Sequence, residues 1–269
     1  MNRLKPQLII SLMIAMIALT ACDHPKKTET EVINVNTEKA EFLPYLNIQN
    51  AQADYQLAHC KKYQCVDMDI QTIKTQDSWL NDWIARLQAN VILQQIQQQK
   101  DLSLQQAIDI YVQQSNEWQA QYSKNQAYTL HMQAQIASQR NQYVLLQIKV
   151  NATQEDRIVK DRVYFFVLDR KHKKSLNILD IIQKNQQVTL DHWVQQHYQK
   201  WITKQSEEVR KQVPKTLAWQ QADWFFDGEG IGLHYRAHEI SKDAAQLDIY
   251  LNTAQTQQIL IAQIYQQMF

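Results

Sequence analysis

The chain has 269 residues, 45% of them hydrophobic and 20% charged, so it is long enough to bury a sizeable core in one large domain or two closely packed ones. Its 28 basic and 27 acidic side chains leave a formal charge of +1, with no basic stripe of the kind nucleic-acid binding requires. Only three cysteines and three glycines are present, and the glycines are Gly228, Gly230 and Gly232, at alternate positions of one short stretch.

Arg3 and Lys5 precede an apolar run from Leu8 to Leu19, followed by Leu19-Thr20-Ala21-Cys22. This is the order of a bacterial signal peptide over residues 1–21 that ends in a lipoprotein cleavage box, and the run is short of the roughly 20 residues that span a bilayer. The expected mature protein begins at Cys22, lipid-modified on its thiol and tethered to a membrane of the cell envelope. Asp23 bears on sorting between inner and outer membrane, which stays open. Residues 22–41 hold the lipidated cysteine and a polar tether, "DHPKKTETEVINVNTEK", whose coil reach is on the order of 20–25 Å.

Cys60 and Cys65, in "HCKKYQC", are the two remaining thiols. In an oxidising compartment this pair reads as a disulfide closing a small loop, since a zinc site wants about four ligands and thioredoxin-type chemistry wants two intervening residues. "ADYQLAHC" and "CVDMDIQTI" alternate apolar and polar residues and read as strands on either side of that loop, with Val66, Met68 and Ile70 on one face. Asp77 or Ser78 caps a helix carrying Leu80, Ile84, Leu87 and Val91, and Ser103 with Gln106 forms a capping box that opens a second, with Ile108, Tyr111 and Trp118 on its inner face.

Three strands follow, "AYTLHMQAQI", "YVLLQIKVNAT" and "RVYFFVLDR", the first two joined by a turn in "SQRNQ". The basic run Arg170 to Lys174 reads as a solvated turn at a sheet end. "NILDII" is a short amphipathic piece, and Thr189 caps a long helix through about Gln212, with Leu190, Trp193, Val194 and Trp201 inward and His197 among them as a core histidine. The last third holds two strands flanking the glycines, a further strand in "QLDIYL" and a closing helix, "TAQTQQILIAQIYQQMF". Runs of strands and runs of helices in this order predict an α+β fold with antiparallel sheets, divided into an N-terminal region at 42–150 and a C-terminal domain at 151–269.

The glycines do not read as a nucleotide loop, because they are followed by a strand, "IGLHYRAH", and not by a helix mouth. Asp227-Gly228 between apolar strands instead predicts a hairpin turn at positive φ, with Gly230 and Gly232 admitting a bulge or the close approach of another group. His234 and His238 fail the zincin pattern, since Lys242 stands where a further histidine is needed, and no nucleophile elbow or paired-carboxylate motif is present. No catalytic residue, metal or cofactor is expected.

The order Leu179-Asp180, Gly230 to Tyr235, Glu239-Ile240, Ala244-Ala245 and Leu247 to Leu251 resembles the C-terminal domain shared by the lysozyme-sensing anti-sigma factor RsiV and the peptidoglycan deacetylase PdaC. The preceding region, with its "WLNDWI" helix, is similar to the companion part of that family. The resemblance implies an RsiV-like ectodomain architecture and a non-catalytic binding module facing the periplasm, with lysozyme or peptidoglycan-related material as partner and Gly228, Gly230, Tyr235, His238 and Glu239 as its contact region. Two other readings stand beside it: an assembly lipoprotein that docks on an envelope protein, and a hydrolase with a non-local acid/histidine site. A cleft lined by His234, His238 and Glu239 is the sign the hydrolase requires.

Overall fold

The computed structural model describes residues 43, 45–58, 64–122, 126–155, 157–242 and 245–269. The expected signal peptide, Cys22, the tether and Cys60 lie outside them.

A six-stranded sheet in the order β1-β2-β3-β4-β5-β6 forms the larger layer. It starts with β1 (Gln49–Gln52) antiparallel to β2 (Asp67–Lys74), so the strand expected at residues 53–60 lies earlier and is shorter. The chain then rises through α1 (Ser78–Gln95) and α2 (Leu104–Tyr122) before β3 (Thr129–Arg140), which pairs with β2 in parallel. A parallel pair needs such a crossover, and it is the one parallel pairing in an α+β fold whose sheets are otherwise antiparallel, as the sequence predicts. Both helices begin as their sequences dictate. Asp77 accepts from the Leu80 N–H at 3.2 Å, and Ser103 and Gln106 exchange side-chain to backbone bonds at 3.3 and 3.0 Å.

β3, β4 (Tyr143–Gln154) and β5 (Arg157–Asp169) form a long antiparallel meander closed by the short β6 (Lys174–Leu176). β4 is buried over most of its length, as befits a strand covered on both faces. Val144, Leu146, Ile148 and Val150 face α1 and α2, whereas Tyr143 and Leu145, with Val167 of β5, join the second core. The expected division at 150/151 therefore cuts through β4, and strand pairing holds its two sides in one body. The expected solvated turn is partly buried too: Arg170 is 3% exposed and pairs with Asp77 at 3.3 Å, while Lys174 reaches Asp180 at 2.7 Å.

The second core lies between that sheet and a three-stranded one, β7 (Asp223–Phe226), β8 (Ile231–Tyr235) and β9 (Leu247–Leu251), all antiparallel. Around it run α3 (Ile178–Ile181), α4 (Gln187–Ile202), α5 (Glu207–Gln212), α6 (Thr253–Ile259) and α7 (Ala262–Met268). Two long helices of the sequence reading are broken. Thr189 lies inside α4 and does not cap it, and Ser206 caps a separate α5 by accepting from Val209 N–H at 3.3 Å, so a hydroxyl near the backbone competes with helix continuation. The C-terminal helix splits at Leu260, which pairs across a β-bridge with Ile182, while Ile261 N–H donates to Ile181 at 2.9 Å. His197 is half-buried on α4 and not in the core, where Leu190, Val194 and Tyr198 point instead. Burial and the Lys200 charge hold its pKa down. No helix among the described residues is long and apolar enough to cross a membrane.

Candidate functional site: a cationic cleft beside the small sheet

The expected contact residues fall at two opposite ends of the small sheet. Gly228 and Gly230 lie in the β7–β8 hairpin loop, where no glycine has positive φ, contrary to the turn expected. Asp227 organises the loop instead: its Oδ1 accepts from Glu229 and Gly230 N–H at 2.7 and 3.2 Å and from the Tyr250 hydroxyl. The glycines are there for space. A Cβ on Gly230 would strike the Leu251 carbonyl oxygen, and one on Gly232 would strike the Phe225 ring. At Gly228 it would meet only the end of the Arg140 side chain, at 2.9 Å. Thr256, fully buried, locks this end by donating to Leu251 at 3.0 Å and accepting from Ile231 N–H at 3.2 Å.

Tyr235 and His234 are also committed to structure. Tyr235 is buried, donates to Ala218 at 3.3 Å, and has its pKa pushed up by burial and then by the Glu239 charge. His234 is 2% exposed, with Nδ1 2.6 Å from Asp248 Oδ1, Nε2 3.2 Å from the Val163 carbonyl and its ring edge-on to Phe165. It is a fully partnered strand histidine, so the cleft expected of a hydrolase, with His234 beside His238 and Glu239, does not form.

His238 and Glu239 do line a cleft, with Arg157, Arg162, Ser241 and Lys242, and its volume is about 770 Å³. The loop leaving β8 makes one wall. Arg236 anchors it: one side of its guanidinium meets Asp223 at 3.1 Å, the other meets Glu239 at 2.6 Å, and its plane lies 4.6 Å from the Tyr164 ring centroid. Burial pushes the Asp223 pKa up, and the Arg236 charge opposes that push. Glu239 also accepts from the Arg236 N–H at 2.8 Å, closing a tight turn in which His238 takes a φ of 66° and bonds the Lys242 carbonyl.

β5 makes the opposite wall. Arg162 donates from one terminal nitrogen to the Ala237 carbonyl at 2.9 Å, yet its Nε is buried with no hydrogen-bond partner. Ser241 Oγ is in the same condition. Buried polar atoms are paired in the great majority of cases, and here two unpaired ones belong to residues that line one cleft. Arg157, further along, donates to Gln95 O at 2.7 Å and Gln154 Oε1 at 3.0 Å.

Arg157 and Glu155 are shared with a smaller pocket of about 270 Å³, walled by the C-terminal turn of α1 and by Tyr128. Tyr128 donates to Glu155 at 3.1 Å, and burial followed by that bond raises its pKa. Among the described residues no group of three metal-ligating side chains is assembled. Sequence reading pointed to His238 and Glu239 but not to Arg157, Arg162 or Ser241. Arg157 and Arg162 sit in a strand some 75 residues away whose pattern advertises only sheet.

No family model and no curated protein matches the chain. Solved structures do resemble it. One is a DUF3298 family protein from Pseudomonas aeruginosa, with a TM-score of 0.59 at 17% identity, covering 82% of this chain and 97% of its own. Another is a DUF3298 member from Bacteroides fragilis, with a TM-score of 0.58 at 14% identity, covering 83% of this chain and 97% of its own. At such identities the likeness concerns the fold, and the fold of this chain is the one these DUF3298 proteins have.

Proposed function

We propose that the chain is a lipid-anchored lipoprotein of the bacterial envelope, facing the periplasm, whose folded part is a non-catalytic, RsiV-like binding module that takes its ligand in the cleft between β5 and the 236–242 loop. The sequence ending in Cys22 supports the anchor, and the Cys60/Cys65 pair, read as a disulfide, supports an oxidising compartment. The observation that carries the binding role is the pair of unpartnered buried atoms, Arg162 Nε and Ser241 Oγ, on two residues that line one open cavity.

Non-catalytic is the better reading of the same cleft. Both Glu239 oxygens are taken by Arg236, and His238 Nδ1 is taken by a backbone carbonyl, so the acid and the imidazole build the loop instead of standing ready for proton transfer. Arg157, Arg162 and Lys242 outnumber Glu155 and Glu239 around the cavity, and the surplus of positive charge disfavours a cationic partner such as lysozyme. Cell-wall material is the ligand favoured.

The test is co-sedimentation of the full chain, purified from membranes in detergent, with insoluble cell-wall sacculi, alongside calorimetric titration with a c-type lysozyme. Sedimentation with sacculi and no heat with lysozyme are expected. One-to-one lysozyme binding with loss of muramidase activity would make lysozyme the partner instead. Radiolabelled palmitate should enter the chain and be lost in Cys22→Ala, and an unmodified Cys22 by mass spectrometry would refute the anchor. Thiol titration should find no free cysteine at positions 60 and 65 in the native protein.

A further inference from the structure

The cleft and the smaller pocket beside it meet at Glu155 and Arg157, and their chemistry is complementary. Gln95, at the end of α1, is fully buried. Its Nε2 donates to Val91 O at 2.8 Å and to the Tyr164 hydroxyl at 2.9 Å, while its Oε1 has no partner. An amide oxygen without a donor, on a residue that lines a pocket, asks for an N–H or O–H from a ligand. Across the shared wall, Arg162 Nε is a donor without an acceptor and Ser241 Oγ is a hydroxyl without either. One side therefore lacks a donor and the other lacks an acceptor.

Charge separates the two sides further. In the cleft, Glu239 is paired with Arg236, and Lys242 forms no ion pair among the described residues; Arg157, Arg162 and Lys242 outnumber Glu155 and Glu239, which leaves a small cationic surplus. In the small pocket the lining is dominated by amides and a phenol, namely Gln97, Gln114, Gln154 and Tyr128 with Gln95. Dense neutral donors and acceptors of this sort match an array of hydroxyls better than an apolar side chain. Ile158, 60% exposed, adds an apolar surface at the cleft on which the C–H face of a ring can rest. Of the seven non-glycine residues with positive φ among the described residues, three line these two hollows: Gln97 at 56°, Glu155 at 52° and His238 at 66°. Backbone held in that region costs free energy and persists where the surroundings enforce it.

We propose that the two hollows form one saccharide site for an amino sugar bearing a carboxylate, with the carboxylate on Arg162 Nε and Ser241 Oγ and a hydroxyl or amide N–H of the sugar on Gln95 Oε1. This assignment rests on the binding-module reading above and names the chemistry of its ligand. Arg157 stands at the junction and contacts both halves. Lys242 supplies long-range attraction for the acid, and its contribution weakens as salt rises.

The test is calorimetric titration of the full chain with N-acetylmuramic acid and with N-acetylglucosamine, which differ by the lactyl carboxylate, and with inorganic phosphate as the third probe. The acid sugar should bind at least tenfold more tightly than the neutral one. Ser241→Ala should weaken the acid sugar about tenfold, the cost of one hydrogen bond to a charged group, with no fall in Tm because the hydroxyl has no partner to lose. Lys242→Gln should weaken it a few-fold and flatten its salt dependence. Equal affinity for the two sugars, phosphate binding as tightly as the acid sugar, no binding of either sugar, or a Ser241→Ala variant with full affinity would each overturn the assignment. Sacculus co-sedimentation that persists through such a result would leave the module's role intact and its ligand chemistry wrong; loss of both would defeat the role as well.

Discussion

The two ends of the small sheet are built on opposite terms. At the hairpin end, Asp227, Thr253 and Thr256 pair the loop's polar groups, and Gly230 and Gly232 let a carbonyl and an aromatic ring approach so closely that no methyl fits between. At the other end, the 236–242 loop stands open against β5, held by Arg236, with a hydroxyl and a guanidinium nitrogen left unpaired. The end richest in unusual residues is a closed joint, and the end with ordinary residues holds the vacancy. Rare residue types mark tight packing here, whereas the unsatisfied polar atoms lie at the cleft for which binding is proposed.

Substitutions should reveal this contrast, and the largest effect belongs to the closed end. Gly230→Ala drives a methyl into the backbone of β9, which cannot swing aside, and should cost about 3 kcal/mol in urea denaturation. Gly232→Ala displaces the partly exposed Phe225 ring and should cost about 1–2 kcal/mol. Gly228→Ala meets only the tip of a flexible arginine and should stay within about 0.5 kcal/mol of the parent. If the three cost the same, the glycines act through chain entropy and close approach is not their purpose.

Asp227→Ala comes next. It removes three hydrogen bonds from an exposed loop and should cost about 1–2 kcal/mol at neutral pH. Although partial burial acts the other way, the bonds from Tyr250 and the loop N–H groups hold the Asp227 pKa below the usual carboxylate value. A depressed folded-state pKa gives stability that is present above the unfolded-state value of about 3.9 and lost as pH falls through the folded one. The gap between parent and variant should therefore close below about pH 4 in pH-stepped melts. A gap constant with pH would mean that the carboxylate charge is not what the loop uses.

The smallest stability effect is expected at the open end, where Ser241→Ala should be neutral or slightly stabilising, since it removes a buried hydroxyl without a partner. A loss above about 1 kcal/mol would show that Ser241 is structurally paired and would erase the contrast between the ends.

Much of this architecture was legible along the chain because local signals and tertiary outcome agree. Asp77, Ser103 with Gln106, and the largely apolar run "YVLLQIKV" each specify an element that forms as read. The glycines were legible as a hairpin that admits close approach, but the carbonyl of Leu251 that demands Gly230 is set by β8–β9 pairing. Helix ends were less legible, since periodicity continues through 203–206 and 260–261 while Ser206 and the Ile182–Leu260 bridge interrupt the backbone. The cleft was half legible. His238 and Glu239 stand out in a polar loop, yet the arginines opposite belong to β5, and only tertiary folding brings Arg162 to the Ala237 carbonyl. Arg170 shows the same limit, as a run of five basic residues conceals one that is buried against a helix cap.

The most direct measurement is a backbone amide shift map of the full chain in detergent as soluble muramic-acid-containing cell-wall fragments are added. The account predicts saturable shifts confined to residues 95–97, 155, 157–162 and 236–242, with the hairpin at 227–232 unmoved. Shifts centred on the hairpin, or none anywhere while the fragments still bind, would contradict it.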